Sequence, residues 1–301
     1  MLFHANPYNL GNPNCEEMSM YNGLIKSLSD DMYVGLPYEK GTDYCDYVLS
    51  YKTSRRLYDY KLDKHIDKNT KKIYFFPDPS VNLLPRYIDI ISKYDILLVP
   101  YKCQKKLWEE ELPDVEIKQW KQGVNLNLYN SNIQYNSKKS SQNWVFCGSL
   151  YEGRDEFGRT IDDAGNGTIF GNGWDPSFLT WGGVDIYSLS QAIQISSSVF
   201  SLNYNVFSNV EESFSVRIYK IMCSGGVLLT NKIKGFENIF TKGKHYLDYD
   251  SMEELSNYIK TPFEYFDSDY LNKISQNAQK EVLKKHTYEY RGHELRKILK
   301  L

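Results

Sequence analysis

Short apolar runs of the kind that form buried strands alternate with helical patterns, and the alternation runs through the chain twice. In the first cycle "MLFH", "DYVLSY", "KIYFFPD", "DILLVPY" and "VEIKQW" read as strands. Between them, "EEMSMYNGLIKSL" at 16–28 places Met18, Tyr21, Leu24, Ile25 and Leu28 on one helical face, and "LLPRYIDIISKY" and "QKKLWEEEL" are helical. "QGVNLNLY" reads as a turn, and the Ser/Asn/Lys-rich stretch 131–142 reads as a linker. The cycle then restarts with the strands "NWVFCGSL", "GTIFGNGW", "SVFSLNY" and "HYLDYD" and the helix "YSLSQAIQIS". "SMEELSNYIK" opens on a capping box, Ser251 with Glu254, and a long helical segment covers about 270–300. Short strands alternating with helices imply an α/β protein of two parallel-sheet domains with a cleft between them. A chain of 301 residues has room for a core in each half.

Composition narrows the class. A formal net charge of −2 argues against a generic basic nucleic-acid coat, while leaving room for a local basic face. The five cysteines (Cys15, Cys45, Cys103, Cys147 and Cys223) are scattered and never form a C-x-x-C pair, which points away from a disulfide framework or structural zinc and towards a reducing compartment. "MLFHANPYN" lacks the apolar core of a signal peptide, and no apolar run reaches the ~18 residues of a membrane span, so a cytoplasmic protein is expected.

The stretch "ESFSVRIYKIMCSGGVLLT" carries the strongest chemical signal. Arg217 and Lys220 lie three apart on a short helix expected to start near Ser213–Ser215, just before a Gly-Gly break. Cations at a helix N-terminus suit a phosphate-bearing ligand, although the same residues also fit a solvated basic face. Asp78 ends a buried strand at "PDPS", where open α/β sheets bind ligands; a turn or cap aspartate before proline is the plain alternative. "DYD" at 248–250 looks like a D-x-D metal motif, but the neighbouring capping box accounts for its acids, and His245 and His286 lack zinc or triad spacing.

In order and spacing, "VFCGSLYEGR", "IFGNGW", "SFSVRIYKIMCSGGVLLT", "GFENIFTKGKHYLDYDSMEEL" and the final "KHTYEYR" resemble the C-terminal domain of GT-B glycosyltransferases, in the group 1 and CgeB-like grouping. "PNCEEMSMYNGLIKSL", "KIYFFPD" and "KQGVNLNL" carry a weaker resemblance to phage DNA β-glucosyltransferases, which move glucose from UDP-glucose to hydroxymethylcytosine in duplex DNA. The resemblance implies two Rossmann-like domains facing a central cleft: an acceptor domain over 1–135, a nucleotide-sugar domain over 143–270, and a segment over 271–301 crossing back onto the first. It implies a glycosyltransferase acting by inverting attack, with Asp78 as base and a UDP-sugar, glucose favoured, as co-substrate. No cofactor is tightly bound, and a divalent metal is compatible but not required.

By the same resemblance the donor is held by Glu16, Glu17, Gly148, Ser149, Arg154, Gly171, Glu212, Ser213, Phe214, Arg217 and Lys220. Duplex DNA, the candidate acceptor, is met by Arg55, Arg56, Lys71, Lys72 and Lys102, and a monomer is expected. Lys220 departs from the pattern, because the family carries a glutamate there that accepts from ribose hydroxyls, and lysine only donates. Nucleoside recognition then differs, or Glu211 or Glu212 supplies the acid, or activity is lost. A glycan or small-molecule acceptor, a non-catalytic nucleotide-sugar binder and a sugar epimerase stay open as alternatives.

Overall fold

A computed structural model describes residues 2–4, 16–28, 33–35, 45–51, 66–78, 85–129 and 135–301. The chain divides into two units, one formed by Met1–Asn125 with Thr287–Leu301 and the other by Leu126–His286. Of the segment 271–301, residues up to His286 therefore belong to the second unit and the remainder to the first.

In the first unit, β1 (Leu2–His4), β2 (Tyr33–Gly35), β3 (Tyr47–Tyr51), β4 (Lys71–Phe75), β5 (Ile96–Val99) and β6 (Glu116–Gln119) form a sheet of order β2-β1-β3-β4-β5-β6. Every ladder in it is parallel. Helix α1 (Glu16–Leu28) follows β1, α2 (Pro85–Ile91) precedes β5, and α3 (Lys102–Glu111) links β5 to β6. Alternation along the strands explains the near-continuous apolar runs, since helices cover both faces. Ile73, Phe75, Ile96 and Leu98 pack with Met20, Leu24 and Trp120 on one face. Tyr74, Phe76, Leu97 and Val99 pack with Ile91 and Trp108 on the other.

The second unit opens with α4 (Leu126–Tyr129), a single helical turn at the end of a stretch that reads as a turn in sequence. Then come β7 (Gln142–Cys147), α5 (Asp155–Ala164), β8 (Gly167–Phe170), α6 (Ser188–Ser196), β9 (Ser198–Asn203), α7 (Arg217–Cys223), β10 (Leu228–Asn231), β11 (Leu247–Tyr249), α8 (Met252–Lys260), α9 (Pro262–Tyr265) and α10 (Ser268–Lys285). The sheet order is β11-β10-β9-β7-β8, again all parallel. Numbered within each unit, the first sheet runs 2-1-3-4-5-6 and the second 2-1-3-4-5, the doubly wound pattern in which the direction of growth reverses beside the first strand.

Three local readings change. The expected linker 131–142 includes ordered chain: Tyr135 is buried and donates from its hydroxyl to the Val199 carbonyl at 2.8 Å, Ser137 bonds the Ser268 hydroxyl at 2.7 Å, and β7 already starts at Gln142. Residues 130–134 lie outside the described residues. The long C-terminal helix is two helices, because α10 stops at Lys285 and Thr287 caps α11 (Tyr288–Leu299) by accepting from the Tyr290 amide at 3.1 Å. Helix α7 begins at Arg217 rather than near Ser213–Ser215. Glu212 adopts a left-handed backbone at φ 56°, and the buried Ser213 carbonyl accepts from the Asn205 side chain, which turns the chain inward before the helix starts.

Helix α11 joins the first unit. The Trp120 indole donates to the Arg291 carbonyl at 2.9 Å, Arg291 Nε donates to the Gln122 carbonyl at 2.9 Å, and the Tyr288 amide donates to the Val124 carbonyl at 3.0 Å. Gly23 lets α1 approach α11 closely, for a methyl group there would meet the Tyr288 side chain. Among the described residues no helix is long and apolar enough to cross a membrane. Gly23→Ala is expected to lower stability by about 1–3 kcal/mol through overpacking, seen as a lower urea midpoint at unchanged slope.

Candidate functional site

In a doubly wound sheet, the loops leaving the strands on either side of the order reversal diverge and leave a crevice at the carboxyl ends. In the second unit that point lies between β7 and β9. A cavity of about 220 Å³ opens there, lined by Cys147, Gly148 and Ser149 after β7, Asp185, Ile186 and Tyr187 before α6, and Ser215, Arg217 and Lys220 around α7. Tyr151, Gln191 and Val216 complete the lining.

Arg217 is the best-anchored charge in it. Its Nε donates to the Cys147 carbonyl at 2.6 Å and a terminal nitrogen donates to Asn203 Oδ1 at 3.1 Å. Asn203 is itself held by donating to Thr230 Oγ1 at 2.9 Å. The guanidinium stands 4.9 Å from the Phe146 ring centroid, and a Cβ at Gly148 would collide with it. Burial pushes the Arg217 pKa down to about 9, and the neighbouring positive charge of Arg154 adds to the shift.

Arg154 is 7% exposed and sits behind the lining. It donates to the Ser149 carbonyl at 2.6 Å and lies 5.0 Å from the Tyr151 ring, which braces the loop after β7. Burial lowers its pKa as well, and its Nε makes no hydrogen bond. Among the described residues neither arginine pairs with a carboxylate. Two enclosed cations beside one loop, with only the more distant charge of Asp185 opposing them, are costly for the protein alone, and an anion bound in the cavity would offset that cost.

Other candidates are placed differently. Gly171 supports the loop from behind, since a Cβ there would strike the Gly148 carbonyl. Ser213 is fully buried, and Phe214 packs against Tyr219 and Phe236 at ring distances of 5.5 and 5.2 Å. Glu211 is exposed, while Glu212 accepts from Asn238 at 3.4 Å; neither acid lines the cavity, because the left-handed turn at 212 directs the chain towards 234–238. Lys220 does line it, with its ammonium 5.0 Å from the buried Tyr129 ring.

Asp185, Tyr187, Gln191 and Asn203 are site residues that sequence reasoning missed. "GGVDIYS" has the composition of any surface turn, and only its place after β8, beside the reversal of strand order, marks it.

In the first unit, Asp78 follows the carboxyl end of β4, is half-buried, and accepts from Gln104 Nε2 at its carbonyl at 2.5 Å. Lys102 opens α3 after β5, on the same edge of the sheet. Lys71 and Lys72 begin β4 and so lie at the opposite edge, on the order of 20 Å away at ~3.3 Å per residue. Glu16 and Glu17 form the first turn of α1; Arg55 and Arg56 fall outside the described residues. The D-x-D acids are engaged by lysines, Asp248 with Lys242 at 2.5 Å and Asp250 with Lys232. Among the described residues no group of three His, Cys, Asp or Glu side chains is arranged to hold a metal ion.

Comparison with known proteins agrees with this geometry. The family model "Glycosyl transferase-like" matches residues 154–297. No curated protein sequence matches the chain. Among solved structures, HepE of Anabaena in complex with UDP-glucose is 12% identical over 99% of this chain and 98% of its own, with a TM-score of 0.68. The T4 phage β-glucosyltransferase with UDP and Mn2+ is 14% identical over 100% and 99%, with a TM-score of 0.68. A glycosyltransferase of Rickettsia africae is 12% identical over 99% and 97%, with a TM-score of 0.63. The fold is therefore GT-B. Calorimetry with inorganic pyrophosphate is expected to find Arg217→Ala weaker by about 1.5–3 kcal/mol, the range for a hydrogen bond to a charged group. Gly148→Ala, which displaces the guanidinium, is expected to shift affinity in the same direction and to lower the melting temperature through overpacking.

Proposed function

We propose that this chain, a glycosyltransferase of the GT-B fold, moves glucose from UDP-glucose to an acceptor hydroxyl. The observation that carries the reading is the pair of enclosed arginines, neither paired with a carboxylate among the described residues, at the reversal of strand order in the second unit. A nucleoside diphosphate brings negative charge that can bond the arginines directly. The likeness to the UDP-glucose complex of HepE and to the UDP complex of the phage enzyme supports the choice of donor.

In this mechanism the acceptor oxygen attacks C1 of glucose while the bond from C1 to the diphosphate oxygen breaks, inverting the anomeric centre. The electron pair leaves with UDP, whose charge Arg217 meets directly and Arg154 supports through the loop it braces. Asp78, at the end of β4, takes the acceptor proton. The donor is a co-substrate, and a divalent ion entering with the diphosphate is compatible with the lining, which has its own carboxylate in Asp185.

The acceptor we favour is a hydroxymethylated base in DNA. Support comes from the fold likeness to a structure described as the DNA modifying enzyme β-glucosyltransferase, 14% identical over the whole of both chains at a TM-score of 0.67, and from Lys102 on the same sheet edge as Asp78. A glycan or small-molecule acceptor is the second reading, favoured by the net charge of −2, since DNA binding rests on cations that meet phosphates. The Lys220 departure keeps a third reading in play, a nucleotide-sugar binder without turnover.

Two measurements separate these. The active chain is expected to hydrolyse UDP-glucose slowly, and Asp78→Asn to slow it by about 10²-fold or more with UDP affinity unchanged; affinity without any turnover identifies a binder. Labelled UDP-glucose offered with unmodified, hydroxymethylcytosine and hydroxymethyluracil DNA is expected to label only modified DNA. Label in none of the three transfers the assignment to a glycan or small molecule.

A further inference from the structure

We infer that Asp185 recognises the ribose of the bound nucleotide by accepting hydrogen bonds from its vicinal hydroxyls, a role that Lys220 cannot perform. The inference rests on the sugar-donor reading above and specifies how the same cavity reads its nucleoside.

A ribose presents two adjacent hydroxyl groups, and a carboxylate is the side chain best suited to accept from both. Asp185 is the one acid among the residues lining the cavity. Arg217 and Lys220, across the same lining, only donate. Glu211 and Glu212 lie away from the cavity, the second tied to Asn238.

Asp185 is oriented before any ligand arrives. Asn172 Nδ2 donates to its Oδ2 at 2.6 Å, and the Ser149 hydroxyl lies 3.3 and 3.4 Å from its two oxygens. The Tyr187 hydroxyl is also beside it; burial raises the tyrosine pKa, and the aspartate's charge and hydrogen bond add to the shift. These neighbours are neutral, and among the described residues no lysine or arginine pairs with Asp185. An ionised carboxylate accepts about four hydrogen bonds, so this one is fixed in direction and keeps capacity on Oδ1, whose contact with Ser149 is long. The loop that carries it is joined to the phosphate-facing loop through Ser149, so the two parts of a nucleotide would be read by neighbouring segments.

A guanine edge also offers paired donors to a carboxylate, so the test includes both nucleotides. Calorimetry on the full chain with UDP, 2′-deoxy-UDP, 3′-deoxy-UDP and GDP is expected to find UDP tightest, with about tenfold or greater loss for at least one missing hydroxyl. In Asp185→Asn, UDP is expected to weaken to the level of the deoxy compound, and the ratio between them to fall to about one. Lys220→Gln is expected to preserve that ratio. UDP and both deoxy compounds binding the unaltered chain equally overturns the inference while leaving the sugar-donor reading intact, and this arm holds even where Asp185→Asn fails to fold. A preference for GDP that Asp185→Asn abolishes also overturns it. No binding of UDP at all defeats the sugar-donor reading, and the inference falls with it.

Discussion

Enclosing the Arg217 guanidinium without a carboxylate bonded to it is the constraint around which the second unit is arranged. The protein meets it with neutral partners only: the Cys147 carbonyl, the Asn203 side chain and the Phe146 ring. Each partner recruits support of its own. Asn203 is fixed by Thr230 on the adjoining strand, and the loop after β7 is pinned by Arg154 at Ser149 and by backbone bonds from Gly148 to Phe170 and from Leu150 to Asn172. Neutral acceptors orient a guanidinium without cancelling its field, so the charge stays available to an anion.

The two units share one doubly wound pattern, extended by a sixth strand in the first, and use it unequally. In both, helices cover the two faces of a parallel sheet, which leaves the carboxyl-end loops as the place for chemistry. The second unit builds a cavity with charged walls there. The first unit brings a half-buried acid, Asp78, on the short stretch after β4, with Lys102 at the start of α3. The amino-end cations Lys71 and Lys72 are set apart from that acid by the length of the strand itself.

Features governed by neighbours in sequence were legible. The 3.6-residue spacing of 16–28 gives α1 with the expected bounds, and the apolar runs at 72–76 and 95–99 give buried strands whose two faces pack into separate clusters. Ser251 caps α8 by accepting from the Glu254 amide at 3.1 Å, while the Glu254 carboxylate reaches back to the Asp250 amide at 2.6 Å. The start of α7 was misplaced because its cause is remote: Asn205 and the chain at 234–238 hold residues 212–213 out of helical geometry. The break at 286–287 is equally invisible locally, since Thr287 and Tyr288 bond to Val124 instead of extending α10.

The twofold α/β cycle, the buried strands with strong apolar runs, helix α1 and the presence of a cation at 217 were legible in the sequence alone, because side-chain periodicity and residue chemistry are properties of short segments. The tertiary structure alone decided which of the many polar loop residues share a cavity. Asp185 stands 32 positions before Arg217 in the chain, and the two meet only because the strand order carries the loops after β7 and β8 to the same edge as α7. Crossover connections set that proximity, and no spacing in the linear chain encodes it.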